Sequence, residues 1–147
     1  MKRVLPLLTA LALVACSPPP VPTPTVELLG APVTLNVEGA VVSAQATPAV
    51  QGSTFSVLVR LRTDRPPLPG LLVTGVYVVT DGGVWKGAVS SAQRASCGTG
   101  TCLQGRAAGS AAGLRAGQSV QVVARVQDGQ GRTLWLRAPK VQIASAR

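Results

Sequence analysis

Thr54-Phe55-Ser56-Val57-Leu58-Val59-Arg60-Leu61-Arg62 is the stretch that decides the fold. Phe55, Val57, Val59 and Leu61 alternate with Thr54, Ser56, Leu58, Arg60 and Arg62, a period of two that sends one set into a core and the other toward water. The alternation recurs on both sides. Upstream, Val33, Leu35 and Val37 alternate with Thr34, Asn36 and Glu38; downstream, Val120, Val122, Ala124 and Val126 face one way while Gln121, Val123, Arg125 and Gln127 face the other. Between them, Pro66-Pro67-Leu68-Pro69-Gly70 breaks the chain and residues 71–80 resume as a mostly buried strand. Asp81-Gly82-Gly83 turns that strand into residues 84–89, and Asp128-Gly129-Gln130-Gly131 turns the later one into residues 133–137, because aspartate and glycine supply the conformations a tight hairpin needs. Pro139 marks a kink, an edge strand or a bulge before Val141 and Ile143 close the sheet. From Val26 onward no ten-residue stretch carries a helical stripe. Residues 90–118, rich in Ala, Ser, Gly and Arg, are the least legible part, and a short helix over 90–94 is one option there. About seven short antiparallel strands at this spacing predict an all-β fold, a two-sheet sandwich.

Composition narrows the chemistry. The 147 residues include no histidine, five acidic residues and 14 basic ones. Without histidine the commonest general base, the Ser-His and Cys-His nucleophile pairs and the commonest zinc or copper ligand are missing. Glu27 lies beside a proline-rich segment, while Asp64, Asp81 and Asp128 sit at expected turns. A catalytic carboxylate pair would require Asp81, Asp128 or Glu38 to converge across the fold. No clustered oxygen ligands suggest calcium, and Met1 is the sole methionine. The expectation is a protein that is not an enzyme, with no cofactor and no metal site.

The N-terminus supplies an address. Met1-Lys2-Arg3 is a basic start, residues 4–14 form an apolar run too short to span a bilayer, and Leu13-Val14-Ala15-Cys16 closes it. This pattern resembles a bacterial lipoprotein signal with its lipobox. The resemblance implies cleavage of residues 1–15 before Cys16, a diacylglycerol on its thiol and an acylated amino terminus, which together give an effectively permanent membrane anchor. The alternative is an ordinary secretory signal cut after Ala15, leaving Cys16 a spare thiol; Leu13 suits the lipoprotein pattern better. Ser17 rather than Asp after the cysteine suggests, by the same resemblance, the outer membrane facing the periplasm in a diderm envelope. Residues 16–25 then comprise the lipidated cysteine and a tether, Ser17-Pro18-Pro19-Pro20-Val21-Pro22-Thr23-Pro24-Thr25. In polyproline II geometry these nine residues reach roughly 28 Å; a ligand for a proline-recognition domain is the other reading. Residues 26–147 form the expected β-sandwich domain.

Three cysteines are an odd number for an exported chain. Lipidation of Cys16 leaves Cys97 and Cys102, which bracket Gly98-Thr99-Gly100-Thr101, a stretch flexible enough to bring two Cβ atoms into disulfide range. Closing so small a ring stabilises by about 2 kcal/mol, enough to pin a loop.

The run Leu114-Arg115-Ala116-Gly117-Gln118, the strand after it, Asp128-Gly129-Gln130-Gly131 and the valine-rich end resemble the last hairpin of bacterial immunoglobulin-like and fibronectin type III-like domains. The resemblance covers about a quarter of the chain and implies an immunoglobulin-like sandwich, although Cys97 and Cys102 are too close to be the intersheet pair of antibody domains.

Removal of residues 1–15 leaves 132 residues with 12 basic side chains against five acidic ones, a net charge of +7 with Cys16 acylated. The partners this suits are the membrane, through the lipid anchor, and an acidic envelope polymer, anionic headgroups or an acidic envelope protein. Nucleic acid is not expected, because the cations are not interleaved with aromatics. Trp85 and Trp135 each lie on a hairpin arm near a cation; Trp135 alternates against Leu134 and Leu136 and is the more exposed of the two by this reading. Arg132, Trp135 and Arg137 are therefore the candidate binding face. The function expected is a non-catalytic envelope lipoprotein acting as a binding or structural module, the alternative being a module that binds glycan or inhibits an exported hydrolase.

Overall fold

The computed structural model describes residues 25–65, 67–89, 92–97 and 100–146. The expected signal segment, Cys16 and the expected tether as far as residue 24 lie outside them. Among the described residues eleven strands follow a single helical turn: α1 (Thr25–Leu29), β1 (Thr34–Val37), β2 (Ala40–Gln51), β3 (Thr54–Thr63), β4 (Leu71–Thr80), β5 (Gly83–Ala88), β6 (Ala92–Cys97), β7 (Gly100–Ser110), β8 (Ser119–Asp128), β9 (Thr133–Arg137), β10 (Val141–Gln142) and β11 (Ala144–Ser145). They form two sheets. The first runs β1-β2-β3-β7-β6, and the second β10-β8-β4-β5 with β9 also on β8. Apart from β11, which lies parallel to β2, neighbours are antiparallel. The chain is an all-β two-sheet sandwich, as the period of two requires. With β2, β3, β7 and β6 taken as A, B, E and D, and β5, β4, β8 and β9 as C′, C, F and G, the order within each sheet is the one immunoglobulin-type sandwiches use.

The period-two residues meet between the sheets. Phe55, Val57, Val59 and Leu61 of β3 are completely buried and pack against Val76 and Val78 of β4 and Val122, Ala124 and Val126 of β8. Contact between inner faces of this kind is what holds a sandwich together.

Four elements differ from the sequence reading. The strand expected around Val33 to Glu38 ends at Val37, because Glu38 and Gly39 both take positive φ, 51° and 79°, and form the two-residue turn into β2. β2 itself escaped notice. Its inward residues include Ala40, Ala44 and Ala46, which give a weak hydrophobic signal, and Pro48 lies inside it. Proline is tolerated there because β1 pairs only with positions 40–43, leaving the N–H side of β2 open at position 48. Over 92–94 the helical option gives way to the extended strand β6, while residues 90 and 91 lie outside the described residues; Cys97 and Cys102 flank the hairpin tip, with Cys97 opposite Gly100 and Cys102 opposite Ala95. Finally, the expected tether yields its last residue, Thr25, to α1. The C-terminal segment behaves as Pro139 suggests: β10 returns to β8, and β11 then crosses to β2 in the other sheet.

Candidate functional site

The outer face of the second sheet is where the expected binding residues fall. In β9, Leu134 and Leu136 turn inward to the main core, so Trp135 and Arg137 share the outer side, opposite Arg125 and Val123 of β8. On that face a second apolar cluster gathers Leu28, Ala31, Tyr77, Val79 and Val123, with Val84 and Trp135 packed against it. Trp135 is half-buried and meets Tyr77 edge-on at 5.2 Å between ring centres. The residue expected to be exposed is thus partly covered by its own chain. Leu28 of α1 is only 2% exposed and supplies part of that cover.

Arg137 is engaged as well. Its Nε donates to the Ala31 carbonyl at 3.1 Å, and its backbone N–H donates to the Pro32 carbonyl at 2.8 Å. The segment between α1 and β1 is thereby strapped across the sheet. Arg132 lies in the turn before β9, apart from the Trp135–Arg137 pair, and its Nε donates to Asp128 Oδ2 at 2.7 Å. The structure therefore brings together Trp135 and Arg137 but places Arg132 at the end of the sheet.

Asp128 organises that turn. Its Oδ1 accepts the backbone N–H groups of Gln130 and Arg132, both at 2.9 Å. The Arg132 N–H is the main reason its carboxyl pKa is lowered from the ordinary value; the Arg132 side chain and the Gln130 N–H act in the same direction, and burial opposes them. Asp81 follows β4, whereas Asp128 pairs with Leu71 where β4 begins, so these two carboxylates stand at opposite ends of the sheet. Among the described residues no group of three side chains is placed to hold a metal ion, and no helix is long and apolar enough to cross a membrane.

A residue without a role in the sequence reading proves central to this face. Arg125 donates from Nε to Thr74 Oγ1 at 3.0 Å and from Nη1 to the Tyr77 hydroxyl at 3.2 Å, with its guanidinium carbon 6.0 Å from the Tyr77 ring centre. Gly75 makes room for it, since a Cβ there would lie 3.2 Å from Nη2. A glycine inside a valine-rich strand was the available signal.

Trp85 belongs to the other side of its sheet. It packs on the main core with its ring 4.8 Å from Phe55 at an 84° angle, and Nε1 donates to the Ser110 carbonyl at 3.0 Å. A side chain at Gly87 would come within 2.5 Å of the indole, and one at Gly109 within 3.2 Å. The glycines of β5 and β7 form its socket.

Cys102 is fully buried in β7. The side chain of Cys97 lies outside the described residues, as does all of Cys16. No model of a known protein family matches the chain, and no curated protein matches it.

Proposed function

We propose that this chain is a non-catalytic envelope lipoprotein, a β-sandwich of immunoglobulin-like type held to a membrane through a lipid on Cys16. The observation that carries the reading is the run Leu13-Val14-Ala15-Cys16 at the end of a short apolar segment, followed directly by a proline-rich spacer. The position of α1 fits this arrangement, for the first described residues after the spacer dock on the outer face of the second sheet through Leu28. The strand order supports kinship with immunoglobulin-like domains. In this reading the domain works by binding or by structural support, with no cofactor. In this reading Cys97 and Cys102, which flank the tip of the β6–β7 hairpin, are joined as a disulfide.

The exposed-tryptophan version of a glycan-binding site loses its support, because Trp135 is partly occupied by Tyr77 and Arg137 by Ala31. The test of the anchor is fractionation of cells expressing the wild-type chain or Cys16→Ser. The wild type is expected in the membrane fraction, resistant to salt extraction, and the variant in the soluble fraction or as an uncleaved precursor. A wild-type chain found wholly in the soluble exported fraction contradicts the proposal.

A further inference from the structure

We infer that the outer face of the first sheet is a docking surface for a linear polyanion bearing phosphate or carboxylate groups. The inference deepens the proposed function and rests on its envelope reading. Arg60 and Arg62 point outward from β3, and Arg106 points outward from β7 beside them, with Arg60 opposite Gln104 and Leu58 opposite Arg106. Residues two apart on a strand are separated by roughly 7 Å, and diagonal neighbours across strands by about 7–8 Å, so Arg60 neighbours both Arg62 and Arg106 and the three line one basic strip across β3 and β7. No strand of this sheet contains an aspartate or glutamate. Among the described residues none of the three arginines makes an ion pair; the ion pairs there involve Arg65 and Arg132. Arg60 Nε is shielded from solvent and has no hydrogen-bond partner. This contrasts with the second sheet, whose Arg125 and Arg137 are committed to internal acceptors.

The character of the face selects the occupant. The outward residues around the arginines include Ser43, Gln45, Thr47 and Ser56, with the half-buried Leu58 between Arg60 and Ser56 and the exposed Val41 towards the Arg62 end; none is aromatic. A protein partner needs a large apolar or aromatic anchor, and a neutral sugar needs a ring to stack on; here the apolar side chains are two isolated aliphatics, Leu58 half-buried beside Arg60 and Arg106 and Val41 on β2, and no ring is present. A second copy of the chain would meet like charge. What remains is charge complementarity with an extended anion, which arginine serves better than lysine because its planar fork pairs with an oxyanion through two hydrogen bonds. The attachment geometry points the same way. α1, which follows the tether, lies on the second sheet, so the arginine face is on the side of the domain away from the docked N-terminal segment.

The test uses the full native protein purified in non-ionic detergent. Intact mass of the same preparation reads the state of Cys16, so anchoring and polymer binding succeed or fail independently. Binding to long-chain polyphosphate, to polyglutamate and to vesicles of phosphatidylglycerol is measured across a salt series. The double variant R62Q/R106Q is compared with R115Q/K140Q, which removes the same charge from exposed positions elsewhere. The expected result is retention of at least one polymer, weakened by on the order of tenfold in R62Q/R106Q with a loss of about two from the slope of log affinity against log salt, roughly one per lost contact. R115Q/K140Q should change affinity by less than about twofold. The two polymers distinguish phosphate from carboxylate as the preferred oxyanion. Equal weakening by both variants, absence of binding to either polymer, or arginine-dependent retention by the vesicles alone overturns the inference.

Discussion

Arg137 and Ala31 lie 106 residues apart in the chain, and the Arg137 Nε reaches the Ala31 carbonyl at 3.1 Å. That bond, with the Arg137 N–H on Pro32, fastens the first described segment to β9. The consequence for function is direct: a residue that reads from sequence as a free cation on a binding hairpin is a clamp on the segment that follows the tether.

Replacing Arg137 by Ala is therefore expected to loosen residues 28–33 while leaving β3 and β7 intact. The cost is about 1.5 kcal/mol, the low end of the range for a hydrogen bond from a charged donor, because the guanidinium is partly solvated. Hydrogen exchange followed by mass spectrometry checks this, with faster exchange confined to the N-terminal segment and its contacts on β9. Uniformly faster exchange across both sheets would show a broader role.

Trp135→Ala removes the edge contact with Tyr77 and part of the packing against Val123 and Leu28. A fully buried tryptophan costs roughly 3–5 kcal/mol on truncation, so a half-buried one is expected to cost about 2 kcal/mol. Denaturant unfolding gives the value. A stability unchanged within error would mean that Trp135 contributes no packing and return it to the role of a free surface anchor.

Asp128 makes the turn before β9 sensitive to acid. Its folded-state pKa lies below the unfolded value near 3.8, so its contribution to stability is present above that value and is lost as pH falls through the lower, folded one. Unfolding midpoints measured from pH 7 down to about pH 2.5 should show a decline in the wild type that is shallower in Asp128→Asn. The variant should also be less stable at pH 7, since its neutral amide accepts more weakly from Arg132. Identical pH profiles would remove Asp128 from the account.

The Cys97–Cys102 bond is expected to leave the exported protein without an alkylatable thiol unless reductant is added. Reduction should loosen the β6–β7 hairpin alone, with a loss of about 2 kcal/mol. Native alkylation followed by intact mass decides it, and two modified thiols in the unreduced protein contradict the bond.

Legibility of the fold tracked side-chain size. β3, β4 and β8 declare themselves because Phe55, Val57, Val76, Val122 and their neighbours are large, branched and alternate cleanly. β7 stays hidden because its inward positions are Gly105, Ala107 and Gly109, small in order to seat Val73 and the indole of Trp85. Its residues are chosen by partners on β4 and β5, which no local pattern can reveal. The candidate face was half legible for a similar reason. The period of two correctly put Trp135 and Arg137 on one side of β9, but the covering segment around Leu28 and Ala31 is contributed from more than 100 residues away.

Mass spectrometry of the mature N-terminus from the membrane fraction is the decisive measurement for the proposed lipid on Cys16. The expected result is a chain that begins at Cys16 and carries a diacylglycerol on the thiol and an acyl group on the amine. A mature terminus at an unmodified Cys16, or at any other residue, would contradict it.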